Sequence, residues 1–112
     1  MAFSCAFTSS LASPSHAAVA EELGYTRAWF YDAPPLAPDV WIMLARAAEV
    51  TSRIGLGPGV LNPAMRHPMV NASATAGLVA MAPGRVAVGF GTGFAPRVLG
   101  QAPVTWAISR RT

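Results

Sequence analysis

The stretch that decides the fold is 81-MAPGRVAVGFGTG-93, which runs from a Pro-Gly turn into an apolar segment and ends in three alternate glycines. Side chains on a β-strand point alternately to opposite faces, which places Val86, Val88 and Phe90 together on one face. The other face would be almost bare backbone: Ala87, Gly89, Gly91 and Gly93. Such a face suits either the close approach of a flat ligand or a tight packing contact, and the sequence leaves both open.

Three earlier segments also resemble strands and start near residues 3, 27 and 54, each followed by a helical pattern. Ser13-Pro14 is a suitable N-cap and first helical position, and Gly24 is a suitable C-terminal stop. Asp39 predicts the N-cap of a second helix. His67-Pro68 predicts the start of a third, which runs to about Met81. Strands that alternate with helices indicate βαβ units and a parallel sheet, so the predicted fold class is α/β with about four parallel strands and three helices.

Composition limits the classes of function. The 112 residues are 53% hydrophobic and 12% charged, which is typical of one ordered domain. No apolar run approaches the roughly 20 residues that span a bilayer, and the N-terminal segment lacks the basic start of a signal peptide. The net charge of +3 comes from scattered arginines, whereas a nucleic-acid interface clusters them. The single cysteine, Cys5, favours a reducing compartment. We therefore expect a cytoplasmic protein that binds neither membrane nor nucleic acid.

Several kinds of site are excluded by spacing. A dinucleotide fingerprint requires its glycines between the first strand and a helix, whereas here they follow the fourth strand-like segment. A phosphate-binding P-loop requires a lysine, and the chain has none. No His, Cys or Asp cluster has metal-ligand spacing, and no serine or cysteine has the setting of a nucleophile.

Five segments, in this order, carry a resemblance to a known family. They are AEELGY at 20–25, AWFYD at 28–32, AAEVTSRIGLG at 47–57, RHP at 66–68 and PGRVAVGFGTG at 83–93. Together they resemble the N-terminal half of the bacterial luciferase-like monooxygenases, and their deazaflavin-dependent branch in particular. The resemblance implies a (β/α)8 TIM barrel and hydride transfer or oxygen activation on a small-molecule substrate. It also implies a bound deazaflavin coenzyme (F-420 type) or FMN.

The resemblance further implies where the site lies. Barrel active sites occupy the C-terminal ends of the strands, which gives one catalytic candidate, Asp32. The cofactor-binding candidates are Gly59, Val60, Asn62, Gly89, Gly91 and Thr92. A bulge with a non-proline cis peptide is implied around Gly59-Val60, and an ordinary trans turn is the alternative.

For each of three polar residues near these strand ends, two roles are compatible with the sequence. Asp32 either bonds the cofactor's polar edge or a substrate hydroxyl, or caps the proline-rich loop that follows it. Ala33 stands where the family often has histidine, so a catalytic imidazole is absent there. Arg66 either meets an anionic group or is solvated. His67 fits a structural role at a helix start better than a catalytic one.

Length gives the last expectation. A complete barrel has about 250 residues, so residues 1–93 are predicted to be the N-terminal half of a barrel and residues 94–112 a loop and tail. The alternative to an enzyme is a truncated, non-catalytic fragment. Because a half barrel exposes two sheet edges, association through them, as a homo-oligomer, is expected in either case.

Overall fold

Three parallel strands alternate with three helices in the computed structural model, which describes residues 2–91. The elements are β1 (Ser4–Thr8), α1 (Ser13–Glu22), β2 (Arg27–Tyr31), α2 (Val40–Val50), β3 (Gly55–Pro58) and α3 (Pro68–Met81). The sheet order β1-β2-β3 follows the chain, and both pairings are parallel. The predicted α/β alternation is confirmed. Thr92, Gly93 and the predicted tail at 94–112 lie outside the described residues.

The two faces of the sheet have different partners. On the face that meets the helices, Ala28, Phe30 and Leu56 are completely buried beside Leu44 and Ala47 of α2. Burial of one such Leu or Phe side chain contributes about 1.5–3 kcal/mol. We call the opposite face, which no helix of residues 2–91 covers, the inner face. It carries two rows of side chains that pair across β1 and β2: Ser4, Ala6 and Thr8 with Arg27, Trp29 and Tyr31.

Four of the predicted helix boundaries are confirmed, at Gly24, Asp39, His67-Pro68 and Met81, and one is wrong by a residue. The Asp39 carboxylate accepts hydrogen bonds from the backbone N–H groups of Trp41 (3.0 Å) and Ile42 (3.3 Å), as an N-cap does. Gly24 follows α1 with a φ of 91°, a conformation that side chains disfavour.

Ser13 is not the N-cap of α1 but its first residue, since Ala12 occupies the cap position and supplies no side-chain bond. The Ser13 hydroxyl is engaged elsewhere: it accepts from the Ser10 N–H (2.8 Å) and donates to the Thr8 carbonyl (2.7 Å). It therefore closes the turn between β1 and α1, and the helix starts one residue earlier than a capping serine would place it.

The segment 85–91 lies beside β3 as predicted, but it forms only two isolated bridges, Leu56 with Val86 and Leu61 with Phe90. Its backbone bonds begin as a parallel ladder: Leu56 N–H donates to Arg85 O (2.9 Å), and Ala87 N–H donates to Leu56 O (3.2 Å). The next donor on β3 would be Pro58, which has no N–H. Only the return bond from Gly89 N–H to Pro58 O (3.0 Å) remains. The predicted fourth strand is thus a bonded segment whose ladder a proline interrupts.

A bulge follows directly after Pro58. Between the two bridges the chain at β3 advances by five residues, from Leu56 to Leu61. The facing segment advances by only four, from Val86 to Phe90. One extra residue on one side is the definition of a β-bulge. Within it the Gly59-Val60 peptide bond is cis, as the resemblance implied.

A carboxylate joins the first and third βα units. The backbone N–H groups of Ser52, Arg53 and Ile54 all donate to the Glu21 carboxylate, the last two at 2.8 Å. Burial alone would raise the pKa of Glu21, but these hydrogen bonds and the Arg53 charge outweigh it and lower the pKa. Glu21 therefore fixes the turn that leads into β3 onto the C-terminal end of α1.

The helices of residues 2–91 are too short, or not apolar enough, for any of them to cross a bilayer. An apolar groove of about 290 Å³ lies between α1 and the outer face of β1, lined in part by Cys5, Phe7 and His16. Burial raises the pKa of the Cys5 thiol.

Candidate functional site

The described candidates for the site meet at one end of the sheet. Asp32 follows β2, while Gly59, Val60 and Asn62 follow β3. Gly89 and Gly91 lie opposite, because Leu61 N–H donates to Gly89 O and Gly91 N–H donates to Leu61 O (3.1 Å). Parallel strands bring their carboxyl ends together, so residues distant in the chain become neighbours here. Thr92 cannot be placed, since it lies outside the described residues.

Gly91 makes room for Val60, whereas at Gly89 a side chain would meet Val60 only at ordinary contact distance. A Cβ added to Gly91 would lie 2.6 Å from Val60 Cγ2, and one added to Gly89 would lie 3.6 Å from Val60 Cγ1. The Val60 side chain is nevertheless 49% exposed. Val60 therefore packs against the nearly bare face of the segment, and its exposed part is accessible to a ligand.

Trp29 supports the bulge from the neighbouring strand. A Cβ on Gly59 would lie 2.9 Å from Trp29 Cε3, so the Gly59 backbone rests directly against the indole. The Arg27 guanidinium lies 5.4 Å from the Trp29 ring centroid and donates from Nη1 to Arg85 O (3.1 Å). Half-buried Trp29 and Arg27 thus support the backbone of the bulge and of the facing segment from the inner face.

Asn62 shapes the chain after the bulge. Its side chain is buried and accepts a hydrogen bond from the Ala64 N–H (2.9 Å), a local turn that directs the backbone towards α3. This is a structural task, and the predicted contact between Asn62 and a cofactor remains a prediction.

The catalytic candidate Asp32 is held by Arg66. Arg66 Nη1 donates to Asp32 Oδ2 (2.7 Å) and Nη2 donates to Oδ1 (2.9 Å), a bidentate pair. The Asp32 side chain is only 1% exposed and that of Arg66 12%. The hydrogen bond to Asp32 raises the pKa of Arg66, and burial offsets this in part. Asp32 therefore does not cap the proline-rich loop through a backbone N–H, and its catalytic role remains a prediction.

Arg66 also contacts a second carboxylate. Its Nη2 lies 2.7 Å from Asp39 Oδ1, while Asp39 Oδ2 caps α2. Both earlier interpretations of Arg66, a bound anion or a solvated side chain, are thus replaced by a pairing within the chain. The next residue, His67, accepts from Met69 N–H through Nδ1 (3.1 Å) and caps α3, so its structural role is confirmed.

The Asp32–Arg66–Asp39 cluster is the part of the site that sequence reasoning missed. One signal was available: Asp32 and Arg66 follow neighbouring parallel strands, and opposite charges at adjoining strand ends are placed to pair. Within residues 2–91, no three His, Cys, Asp or Glu side chains come close enough to hold a metal ion.

A protein-family model described as luciferase-like monooxygenase matches residues 13–112. The chain belongs to the luciferase-like monooxygenase family.

Two curated enzymes are similar in sequence to the chain. It is 41% identical over 75 residues to the 5,10-methylenetetrahydromethanopterin reductase of Methanopyrus kandleri, covering 67% of this chain and 21% of the reductase. It is 40% identical over 82 residues to the F420-dependent glucose-6-phosphate dehydrogenase of Kineococcus radiotolerans, covering 66% of this chain and 24% of the dehydrogenase.

The fold of this luciferase-like chain also matches a solved structure. The coenzyme F420-dependent tetrahydromethanopterin reductase from Methanopyrus kandleri superposes with a TM-score of 0.82 and 29% identity, covering 98% of this chain and 37% of the reductase. The chain therefore spans about a fifth to two fifths of the length of these relatives. What it shares with them is the part that contains the strand ends described above.

Proposed function

We propose that this chain contributes the bulge side of a cofactor site in an oxidoreductase that binds a deazaflavin coenzyme of the F420 type, with FMN as the alternative. The observation that carries the proposal is the Gly59-Val60 bulge, which presents Val60 at the carboxyl end of the sheet above Gly89 and Gly91. Two similar enzymes are named F420-dependent. The proposed reaction is hydride transfer or oxygen activation on a small-molecule substrate.

The residues present fit a flat, largely apolar ring with polar edges. Val60 offers an exposed aliphatic surface, and one of its methyl groups lies where a side chain on Gly91 would be. Tyr31, on the adjacent strand, is also exposed on the inner face at this end of the sheet. A binding site of this kind combines apolar walls with a few fixed polar groups, and Asp32, which Arg66 holds through bonds of 2.7 and 2.9 Å, is a fixed polar group at the end of the neighbouring strand.

Each residue then has a distinct task. Val60 backs one face of the ring, and Gly59, Gly89 and Gly91 allow the backbone positions that place it there. Asn62 holds the turn that follows the bulge. Asp32 is the proposed catalytic residue, and because its carboxylate is 1% exposed and bonded to Arg66, it reaches a polar edge of the cofactor or a substrate hydroxyl only when that pair opens. When bound, the ring supplies the redox chemistry, and the protein supplies binding and orientation.

A pair of valine variants tests this proposal. Val60→Ala removes the exposed surface over the glycines, whereas Val50→Ala removes a comparably exposed valine (55%) at the far end of α2. Titration of the wild-type chain with deazaflavin coenzyme, and separately with FMN, is expected to change the cofactor's fluorescence and raise the melting temperature. We expect Val60→Ala to weaken binding about tenfold, the equivalent of roughly 1.4 kcal/mol, and Val50→Ala to leave it unchanged. Unchanged fluorescence and melting temperature for the wild-type chain at saturating cofactor would refute the proposal.

A second proposed function, self-association, is favoured by the surface of α3. Among the 14 residues of this helix none is charged, and Met69, Val70, Val79 and Met81 are exposed. Large exposed apolar surfaces mark sites of protein association. Within residues 2–91, β1 is an edge strand that pairs only with β2, and its outer backbone groups could accept another strand. We propose that a second copy of the chain covers α3, and that association is its role if no cofactor binds.

Sedimentation velocity over a range of concentrations measures this directly. The wild-type chain is expected to form dimers or larger species, and Val79→Lys is expected to shift them towards monomer, since it places a charge in the apolar surface. A wild-type chain that stays monomeric at high concentration would contradict self-association. We also propose a cytoplasmic location, because the single cysteine, Cys5, favours a reducing compartment.

A further inference from the structure

Two exposed hydroxyl side chains lie next to each other on the inner face, at the carboxyl end of the sheet. Thr8 ends β1 and Tyr31 ends β2, and the two residues pair in register. Both are exposed, Tyr31 to 46%. We propose that Thr8 and Tyr31 form a substrate subsite, which binds an uncharged hydroxyl or carbonyl oxygen of a small molecule beside the cofactor ring. The inference rests on the proposed cofactor-binding function.

The alternation of side chains along the strands places both hydroxyl groups on this face. The preceding residues, Phe7 and Phe30, point to the helices: Phe30 is fully buried, and the two rings meet edge to face with centroids 6.0 Å apart. The next residue on each strand therefore faces the opposite side. Neighbouring strands lie about 4.8 Å apart, so one small ligand can reach both side chains.

Buried serines fix the backbone of both residues and leave their own hydroxyl groups available. The Ser13 hydroxyl donates to Thr8 O (2.7 Å), and the Ser9 hydroxyl donates to Tyr31 O. Both serines are at most 1% exposed. Within residues 2–91, Thr8 and Tyr31 thus bond to side chains through their carbonyl groups and not through their hydroxyl groups. Support of exposed polar groups by buried neighbours is what a preorganised binding site requires.

The two hydroxyl groups adjoin the bulge that carries Val60. Gly59 N–H donates to Phe30 O (2.9 Å), so the bulge lies beside the end of β2. From β1 to β3, the inner face at this end therefore presents the hydroxyl groups of Thr8 and Tyr31 and then the apolar surface of Val60. A substrate must touch the ring to react with it, and the two hydroxyl groups lie on the side of Val60 that faces β1.

The ligand of this subsite is expected to be uncharged, because the arginines of the inner face and of the strand ends are occupied or distant within residues 2–91. Arg27 lies four residues before Tyr31 on the same strand, about 13 Å away. Arg66 is bonded to Asp32 and Asp39. Anionic groups are bound most strongly by cations. A hydroxyl group both donates and accepts, which suits the oxygen of an alcohol or a ketone.

Titration of the wild-type chain, saturated with deazaflavin coenzyme, tests the inference with three probes of similar size: cyclohexanol, cyclohexanone and cyclohexanecarboxylate. Two-dimensional NMR follows the methyl group of Thr8 and the ring protons of Tyr31, and the shifts give a dissociation constant for each probe. We expect the alcohol and the ketone to shift both sets of signals. The carboxylate should bind at least about tenfold more weakly, because its charge would be desolvated without a partner.

Two variants remove the hydroxyl groups and preserve the shapes of the side chains. Thr8→Val and Tyr31→Phe should each weaken binding of the alcohol and the ketone about two- to tenfold, the loss of one hydrogen bond. The double variant should lose more. The matched controls are Thr75→Val, on α3, and Tyr25→Phe, before the start of β2 at the other end of the sheet. Both controls should bind the probes as the wild-type chain does, and melting curves establish that all variants fold.

Three results would overturn the inference alone. The first is no shift at Thr8 and Tyr31, or shifts spread evenly over the surface, which would mean adventitious binding only. The second is equal losses in the folded control variants. The third is a loss of coenzyme affinity in Thr8→Val or Tyr31→Phe as large as the loss for the ketone, which would assign the hydroxyl groups to the cofactor. A wild-type chain that binds no coenzyme, measured before any probe is added, would instead overturn the proposed function and the inference with it.

Discussion

Replacement of Gly57 by alanine tests how closely the segment 85–91 packs on β3. A Cβ at this position would lie 1.6 Å from the carbonyl oxygen of Ala87 and 2.8 Å from its carbonyl carbon. Ordinary contacts between such atoms are about 3.5 Å long, so one backbone must move by roughly 2 Å. Both partners are main chain, and no side-chain rotation relieves the clash.

The cost follows from the bonds that this movement breaks. Three backbone hydrogen bonds join β3 to the segment around Gly57: Leu56 to Arg85, Ala87 to Leu56 and Gly89 to Pro58. Each contributes about 0.5–1.5 kcal/mol, and overpacking adds about 1–3 kcal/mol. We expect Gly57→Ala to lower the free energy of unfolding by about 3–5 kcal/mol, a large part of the stability of a small domain.

Chemical denaturation followed by circular dichroism measures the loss, with two other glycines as controls. Gly77→Ala meets no atom within 4 Å, lies inside α3 and should raise stability by about 0.5–1 kcal/mol. Gly24→Ala is equally open but has a φ of 91°, and should cost about 1–2 kcal/mol through backbone strain alone. A Gly57→Ala variant as stable as the wild-type chain, or no less stable than Gly24→Ala, would refute the packing argument.

Two further changes concern charged anchors. Glu21→Gln should remove a stabilisation that is full above the ordinary pKa of about 4.5 and disappears as the pH falls through the lowered pKa of the folded state. Unfolding curves of both proteins from pH 7 to pH 3 should therefore converge in acid, and a constant difference would contradict this. Asp39→Ala should cost about 1–2 kcal/mol because α2 loses its cap, whereas Asp39→Asn retains a capping oxygen and should cost less. Thermal unfolding compares Asp39→Ala with Asp39→Asn, and equal melting temperatures would exclude loss of the cap as the cause of the destabilisation.

The elements of the fold were predictable because their signals are local. Asp39 and Gly24 act within one turn of their own helices, and the periodicity of the helices and strands is visible in short windows. The one boundary error, at Ser13, arose because a serine hydroxyl can cap a helix or close the preceding turn. The sequence does not distinguish the two until the position of the Thr8 carbonyl is known.

The contacts within the site were harder to predict because they join distant parts of the chain. Asp32 and Arg66 are 34 residues apart, and their pairing depends on the register of β2 against β3. The role of the glycines at 89 and 91 likewise depends on Val60, which reaches them only through the bulge. Pro58 did carry a readable signal, since a proline in a central strand removes a ladder donor, and that alone predicts an interrupted fourth strand.

The chain-order sheet has a consequence for synthesis on the ribosome. Ser4 pairs with Arg27 and Arg27 pairs with Gly55, so each strand's first partner has already emerged when that strand appears. At about 5–20 residues per second, successive strands emerge a few seconds apart. Helices form within about a microsecond, so translation, rather than the search for partners, sets the order in which β1, β2 and β3 assemble.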